Sequence, residues 1–454
     1  MLRQMRAPWR LTWSAVRAWC GRCGIGLLLA GSWVAGAAEP WTLERALDYA
    51  LAQNPDARLA QQRIAAAQAG LGQANAAFWP RLQLESGYTR TDNPMEGFGA
   101  ILNQRSYLPS LNFNDVPDLD NFNARGIVTL PLYAGGRSQA GRHAAKAAGE
   151  AAKQDGAALR NALGFEVTRG FHTVLKTRQF VRAAQAAVSS FETNCVVARK
   201  RLEAGTLLKA EVLDLEVRLA QAREDLVCAR NAGALAERAL RNLLGLEAAG
   251  FTVADTAPEV GAPPSGDWAQ RPELAAARDR EAAAEAQVRA AQSGHLPRVD
   301  AFASLDYNYG SVTGGDGKSY SAGVMARWDL WDGFATRAKV REAQANLESA
   351  REERRKIRLA IDLESERARL DLNAAVERLA ASDKTVEQAA ESVSLTRNRF
   401  EQGLVLSTQL IDAETALVAA RVRRAEAESD RHIAIAGLRK ALALPQLDRP
   451  LTRP

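Results

Sequence analysis

The chain has 454 residues, which is long enough for more than one structural unit, and its formal net charge is +6 at pH 7. The first 38 residues contain five arginines and no lysine, aspartate or glutamate, so the rest of the chain carries a net charge of about +1. The basic balance therefore gives no reason to expect nucleic acid as a partner.

Residues 1–38 are predicted to be a secretory signal peptide. Arginines precede an apolar run, Ile25–Val34, and the small residues of Ala35–Ala38 offer a cleavage site. The run has about ten residues, whereas a spanning helix needs ~20, which disfavours the alternative of an N-terminal membrane anchor. No later segment has the roughly 18 consecutive apolar residues of such a helix, so the mature chain is either soluble or crosses a membrane as strands.

The rest of the chain is predicted to be an internal duplication. Three pairs of similar segments are offset by 198 residues: Leu130–Gly136 with Trp328–Phe334, Arg201–Gly205 with Arg399–Gly403, and Leu240–Leu246 with Leu438–Leu444. Pairs further upstream are offset by 217, so the first copy contains an insertion of 19 residues between residues 82 and 130. These offsets predict a first repeat (39–250), a linker (251–268), a second repeat (269–446) and a tail (447–454).

Each repeat is predicted to contain two β-strands, over residues 81–90 and 122–132 in the first repeat and over residues 298–309 and 319–331 in the second. The third strand is the clearest, because apolar and polar residues alternate with the period of two that places side chains on opposite faces. Only Phe302 interrupts its polar set. A Gly-rich turn joins the second pair. The first connection, Thr91–Asn121, is long, contains the insertion, and is expected to be functional or mobile.

A very long helix is predicted to follow the second strand of each repeat, over residues 137–203 and 334–402. Neither segment contains a proline, and in the second segment apolar residues recur at spacings of three, four or seven. About 67 residues correspond to a rod of ~100 Å. A turn near Gly205 would offset Cys195 from Cys228 by ~20 Å. A disulfide needs Cα atoms within about 7 Å, so both thiols are expected to be free and buried.

The four strands have the length that crosses a bilayer at a tilt, which is roughly 9–11 residues. Four strands cannot close a barrel, and open sheet edges do not occur in hydrocarbon because their N–H and C=O groups would lack partners. Three chains would supply twelve strands, an even number as in bacterial barrels. Aromatic residues at the helix-side ends are expected to mark the membrane interface, or alternatively to cover a small soluble sheet on the helices. They are Phe78, Trp79, Tyr133, Trp328 and Trp331.

Two segments carry a resemblance to a known family. Arg201–Ala222 and Arg399–Ala420 resemble the helix turn and following helix of the TolC family of outer-membrane efflux and secretion channels. The strand exits Leu130–Arg137 and Trp328–Phe334 are also similar, as is the sequence NPMEGFGAILNQ in the first hairpin. The resemblance covers roughly residues 41–446, and the occurrence of the turn motif at two equivalent places makes it specific.

The resemblance implies a homotrimer, with a twelve-stranded β-barrel in the outer membrane and a long α-helical barrel in the periplasm. It implies a passive conduit in a tripartite efflux pump or type I secretion system, working with an inner-membrane transporter and a periplasmic adaptor protein. Thr42–Asn54 and Thr256–Trp268 would supply equatorial or linking segments. The helix turns would dock against the adaptor, although a glycine there is also what any tight turn requires. These turn residues are Ala204, Gly205, Thr206, Gln402, Gly403 and Leu404.

The family often has acidic residues six and nine positions beyond each glycine. Here these positions are Glu211, Asp214, Gln409 and Asp412. In a trimer such residues would form charged rings that select cations at the narrow end of the tunnel, or alternatively they are an ordinary solvated face. The best-known members close the tip through a tyrosine and an arginine. Phe400 and Val405 occupy those positions here, so closure must rest on packing or on other pairs.

No enzyme activity, cofactor or metal site is expected. The histidines are scattered, and the sequence lacks a His-Glu-x-x-His motif and a Gly-x-Ser-x-Gly motif. Two alternatives to a channel are open. A periplasmic adaptor would have a single helical hairpin flanked by β-domains, and a non-transporting periplasmic scaffold would be built from coiled coil.

Overall fold

The computed structural model describes residues 40–109, 112, 118–247, 251–263, 266 and 268–447. The predicted signal peptide, and all but the first residue of the predicted tail, lie outside these residues. The elements in chain order are α1 (Leu43–Gln53), α2 (Pro55–Ala76), β1 (Arg81–Thr91), α3 (Pro94–Asn103), β2 (Leu119–Tyr133), α4 (Arg137–Glu203), α5 (Lys209–Leu244), α6 (Pro272–Gln292), β3 (Arg298–Tyr309), β4 (Asp316–Arg327), α7 (Ala335–Glu401) and α8 (Ser407–Ala441).

The four strands form one antiparallel sheet in the order β1-β2-β3-β4. The register places most of the apolar residues of the four strands on one face, because rows of paired residues keep the same parity across the sheet. One row of this apolar face consists of Leu84, Gly126, Leu305 and Tyr320. The adjacent row on the other face consists of Gln83, Ile127, Ser304 and Ser321.

The polar face is tied together by bonds between strands. The side-chain amides of Asn121 and Asn123 both donate to the side-chain oxygen of Asn308 at 3.0 Å. Phe302, which like Ile127 is an apolar residue on this face, lies opposite Gly323. A Cβ at that glycine would lie 3.1 Å from the Phe302 ring, so the missing side chain gives the ring its space.

Within the chain, both faces of the sheet are largely uncovered. Leu84 is 82% exposed and Tyr320 is 80% exposed, although both lie on the apolar face. Exposed apolar area costs about 25 cal/mol per Å² in water, so a face of this kind requires an apolar environment. Within the chain, the helices do not cover this apolar face.

The helices form two stacked layers of four. The layer next to the sheet consists of four helices side by side, in the order α2, α4, α6 and α7. The layer distant from the sheet has the order α5, α4, α8 and α7. α4 and α7 have 67 residues each, about 100 Å, and therefore run through both layers. None of the helices within the described residues combines the length and apolarity that a transmembrane helix requires.

A hydrophobic core lies where the two layers meet. The side chains of Thr42 and Asn54 accept backbone N–H groups at the starts of α1 and α2, which fixes the bounds of α1. Leu43 and Leu47 of α1 are buried against Phe171 of α4 and against α5. Trp41 forms a parallel β-bridge with Val253, so the segment after α5 joins this junction.

Several details differ from the sequence-based expectations. β2 begins at Leu119 rather than at residue 122, and β4 begins at Asp316 rather than at residue 319. β4 ends at Arg327 rather than at residue 331, because Arg327 pairs with Arg298, the first residue of β3, and no partner backbone continues beyond it. The thiol of Cys195 is buried, but that of Cys228 is exposed, so the expectation of two buried thiols is wrong for Cys228. The long first connection contains helix α3, whose first turn is capped by Asn93.

Candidate functional site

The two helix turns at the end distant from the sheet have the same backbone geometry. Gly205 and Gly403 have φ angles of +74° and +77°. The N–H of Thr206 donates to the carbonyl of Arg201 at 2.8 Å, and that of Leu404 donates to the carbonyl of Arg399 at 2.9 Å. Each helix therefore ends in a left-handed glycine with a bond that satisfies one of its last carbonyl groups.

Gly205→Ala is expected to lower the stability of the purified protein by about 1–2 kcal/mol, because a Cβ is strained in the left-handed region. Gly205→Asn should lose less, since asparagine tolerates this conformation. Denaturation curves would measure both, with Gly72→Ala as the control, because a Cβ at Gly72 meets no atom within 4 Å. Equal losses for alanine and asparagine would contradict the assigned backbone geometry.

All six predicted turn residues are exposed in the structure. Two leucines that the sequence analysis did not single out extend the same surface. Leu208 and Leu406 immediately precede α5 and α8 and are 71% and 61% exposed, while Leu404 is 69% exposed. Their spacing of 198 residues is the signal that could have found them. The exposed tips therefore combine a rigid turn with apolar side chains, an arrangement typical of a protein interaction surface.

Phe400 holds the two tips together instead of pointing into solvent. Its ring is 1% exposed and belongs to a core that α4, α5, α7 and α8 share. The guanidinium of Arg201 lies 5.0 Å from the centre of the ring and donates to the carbonyl oxygens of Phe400 and Thr206. The role of Arg201 has no signal in the sequence, because its bonds go to main-chain groups of both repeats.

The four positions that were predicted to line the narrow end of the tunnel lie in two different environments. The carboxylate of Glu211 is half-buried, and it accepts the N–H of Leu208 at 3.4 Å and that of Ser407 at 3.3 Å. It therefore caps α5 and also contacts the start of α8. The other three positions, Asp214, Gln409 and Asp412, are exposed.

A second carboxylate, Glu414, is 3% exposed and connects three helices. It accepts hydrogen bonds from the hydroxyl of Ser190 at 2.7 Å and from the amide of Asn194 at 3.3 Å, both on α4. It also forms an ion pair with Arg397 of α7. A buried carboxylate of this kind is tolerated only when its partners stay in place, so it specifies how α8 packs on α4 and α7.

The same ion pair occurs in the first repeat. Arg199 and Glu216 precede Arg397 and Glu414 by 198 residues, and their side chains approach to 2.6 Å. Both members of the first pair are substantially exposed, whereas Glu414 is buried beneath α4. The repeated spacing could have identified the pair from the sequence, but the burial of only one copy depends on tertiary packing.

The five predicted interface aromatics lie at the helix-side end of the sheet, and each is substantially exposed. The indole N–H of Trp328 donates to the carbonyl of His295 at 3.1 Å, and the ring of Trp331 packs edge-on against Phe334 at 4.6 Å. Exposed tryptophan and tyrosine rings with a polar end held by backbone are typical of a membrane–water boundary.

Two of the histidines have a structural role at the junction of the helical layers. The rings of His172 and His432 stack at 4.6 Å with an interplanar angle of 5°. Burial, with a smaller contribution from His432, lowers the pKa of His172 to about 3, and burial also lowers the pKa of His432. Both rings are therefore neutral near pH 7 and pack as part of the core.

Comparison with known sequences places these features in a family. A sequence model of the family described as outer membrane efflux protein matches residues 46–246 and 268–444. The chain is 28% identical over 395 residues to Protein CyaE of Bordetella pertussis, covering 84% of this chain and 79% of that protein. It is 25% identical over 411 residues to the pyoverdine export outer membrane protein OpmQ of Pseudomonas aeruginosa, with coverages of 88% and 84%.

Solved structures agree on the fold. The outer-membrane channel OprN superposes with a TM-score of 0.77 at 21% identity, covering 88% of this chain and 89% of that one. The Campylobacter jejuni CmeC outer membrane channel superposes with a TM-score of 0.78 at 15% identity, covering 90% and 87%. None of these matches supports an adaptor or a scaffold. Both helix turns and all four strands lie within the residues that the family model matches, and the chain therefore belongs to the outer membrane efflux protein family, whose members are export channels of the outer membrane.

Proposed function

We propose that three copies of this chain close a twelve-stranded barrel in the outer membrane. The main support for this proposal is the structure of the sheet. One face of the sheet is apolar and exposed. Within the described residues, the outer edges of β1 and β4 pair with no other strand. Unpaired edges are not tolerated in hydrocarbon, so β4 of one copy pairs with β1 of the next. The repeated order of strands and helices, with its offset of 198 residues, reflects an internal duplication within residues 39–446.

The helices continue the barrel as a hollow stalk in the periplasm. α7 lies at one edge of both helical layers, while α2 and α5 lie at the other edge. Exposed apolar residues on α5 and α7 provide surface for the neighbouring copies: Leu213, Val217, Val227, Leu363, Leu370 and Leu395. Residues 1–38 would direct the chain to the cell envelope, and residues 251–268 would link the repeats. The exposed aromatic residues would lie at the periplasmic boundary of the outer membrane.

The tips of the stalk dock against a periplasmic adaptor, which connects the channel to an inner-membrane transporter. The support is the pair of rigid turns with exposed leucines, and the shared core that holds them in one orientation. Asp214, Gln409 and Asp412 line the narrow end of the passage in this arrangement. The relative OpmQ is a protein of pyoverdine export, which makes a small-molecule cargo one candidate for this chain.

The oligomeric state tests the proposal directly. The protein extracted from outer membranes in mild detergent should have the protein mass of three chains by light scattering. It should also migrate as a heat-sensitive oligomer on a denaturing gel. A chain that is recovered from the periplasm as a monomer without detergent would contradict the proposal and favour a soluble scaffold.

A further inference from the structure

The long connection between β1 and β2, within the region that contains the insertion of the first repeat, includes a defined segment at the outer end of the sheet. This segment, residues 94–106, consists of α3 and the turn after it, and is called the strap below. It follows the end of β1 that is distant from the long helices. In the proposed orientation the strap therefore lies on the cell-surface side of the membrane.

The strap is pinned to strands of both repeats by Gln104, whose side chain is 1% exposed. Its amide nitrogen donates to the carbonyl of Asp120 at 2.8 Å and to the side chain of Asn121 at 3.0 Å. Its amide oxygen accepts the hydroxyl of Thr313 at 2.6 Å. Arg105 donates to the carbonyl of Lys318 at 3.2 Å. A segment of the first repeat is thus fixed across the hairpin of the second.

Three glycines of that hairpin make room for the strap. A Cβ at Gly310 would lie 2.2 Å from the side-chain oxygen of Gln104. A Cβ at Gly315 would lie 1.7 Å from the hydroxyl of Ser106, and one at Gly317 would lie 1.9 Å from the carbonyl oxygen of Asn103. These distances are too short for any side chain, so close backbone approach explains the glycines.

The strand register shows on which face of the sheet the strap lies. Gly317 pairs with Asn308, whose side chain belongs to the polar face. A side chain at Gly317 would therefore point to the polar face. Its Cβ would meet the carbonyl oxygen of Asn103, which belongs to the strap. The strap covers the outer end of the polar face and leaves the apolar face open.

We propose that the strap folds into the channel and forms a constriction at its outer mouth, which limits the size of solutes that enter from outside. This inference rests on the proposed barrel, in which the polar face lines the passage. Three copies bring three straps to one opening. Met95 and Leu102, seven residues apart on the same side of α3, are both exposed in the single chain.

The test uses a single cysteine below the strap. Ser321→Cys is placed on the exposed polar face of β4, in a chain with Cys195→Ala and Cys228→Ser. Intact cells are treated with a small water-soluble maleimide or with a maleimide on a long poly(ethylene glycol) chain. We expect the small reagent to label the cysteine and the large reagent to label it no faster than background.

Gly317→Ala should displace the strap, so that the large reagent labels almost as fast as the small one. Gly126→Ala is the matched control in the same sheet, because a Cβ there meets no atom within 4 Å. It should keep the discrimination between the reagents. If Gly317→Ala reduces the amount of protein in the membrane, Gln104→Ala removes the three side-chain bonds without adding atoms and should give the same result.

Equal labelling of Ser321→Cys by both reagents in the chain with an intact strap would overturn the proposed constriction. Exclusion of the large reagent that persists in both Gly317→Ala and Gln104→Ala would also overturn it. A separate control, Val324→Cys, lies on the apolar face and should react with neither reagent. Labelling at Val324→Cys by the small reagent would instead contradict the proposed barrel, so the two failures are distinguishable.

Discussion

Leu404→Glu is expected to abolish export while leaving the oligomer intact in the outer membrane. Leu404 is 69% exposed at the second tip and contributes apolar surface next to a rigid turn. A charge at the centre of a protein interface is desolvated without a partner and typically costs several kcal/mol of binding free energy, at least about a hundredfold in affinity. Thr206→Glu, at the equivalent position of the first tip, should have the same effect.

The control for the tip variants is Leu404→Met, which preserves an apolar side chain of similar volume and should export at close to the parental rate. The measurement combines an export assay with a heat-modifiability gel of outer membranes, so that lost docking is separated from lost assembly. Parental export by Leu404→Glu, with the oligomer present, would show that the tip surface makes no essential contact.

Glu414→Ala is expected to destabilise the protein by about 3 kcal/mol, near the lower end of the range for breaking a buried ion pair, because Arg397 remains partly hydrated. The variant leaves the amide of Asn194 and the guanidinium of Arg397 without their carboxylate partner beneath α4. It should therefore loosen the packing of α8 on α4 before it affects the sheet.

The internal repeat supplies a matched control for that variant. Glu216→Ala removes the equivalent carboxylate from the pair with Arg199, where both side chains are substantially exposed, and should cost at most about 1 kcal/mol. Thermal denaturation followed by circular dichroism compares the two variants. Equal losses would contradict the conclusion that burial distinguishes the two copies.

Local periodicity was sufficient to predict much of the architecture. The alternation from Arg298 to Tyr309 indicated a two-faced strand, and the register places its apolar residues, except Phe302, on one face of the sheet. The glycines at positions 205 and 403 indicated where the long helices turn, and their φ angles are positive. In both cases neighbouring residues alone determine the structure, so the sequence contains the necessary signal.

Features that depend on distant residues were not predicted. The burial of Glu414 arises from α4, which is 220 residues away in sequence at Asn194. The position of α3 depends on Gln104 reaching Thr313 in the other repeat. Cys228, like Cys195, was expected to be buried, but only the face of α5 that meets α4 is covered. Such features require the packing of whole elements, which propensity and periodicity do not contain.

In the proposed barrel the apolar face of the sheet contacts lipid, and two neighbouring residues of β1 test this most directly. Gln83 and Leu84 are adjacent and point to opposite faces. A bimane fluorophore is attached to Gln83→Cys or Leu84→Cys, with the native cysteines replaced, in protein reconstituted into vesicles. We expect brominated lipid to quench the label at position 84 and aqueous iodide to quench the label at position 83. Iodide quenching at both positions, with no effect of brominated lipid at position 84, would contradict a membrane-spanning sheet.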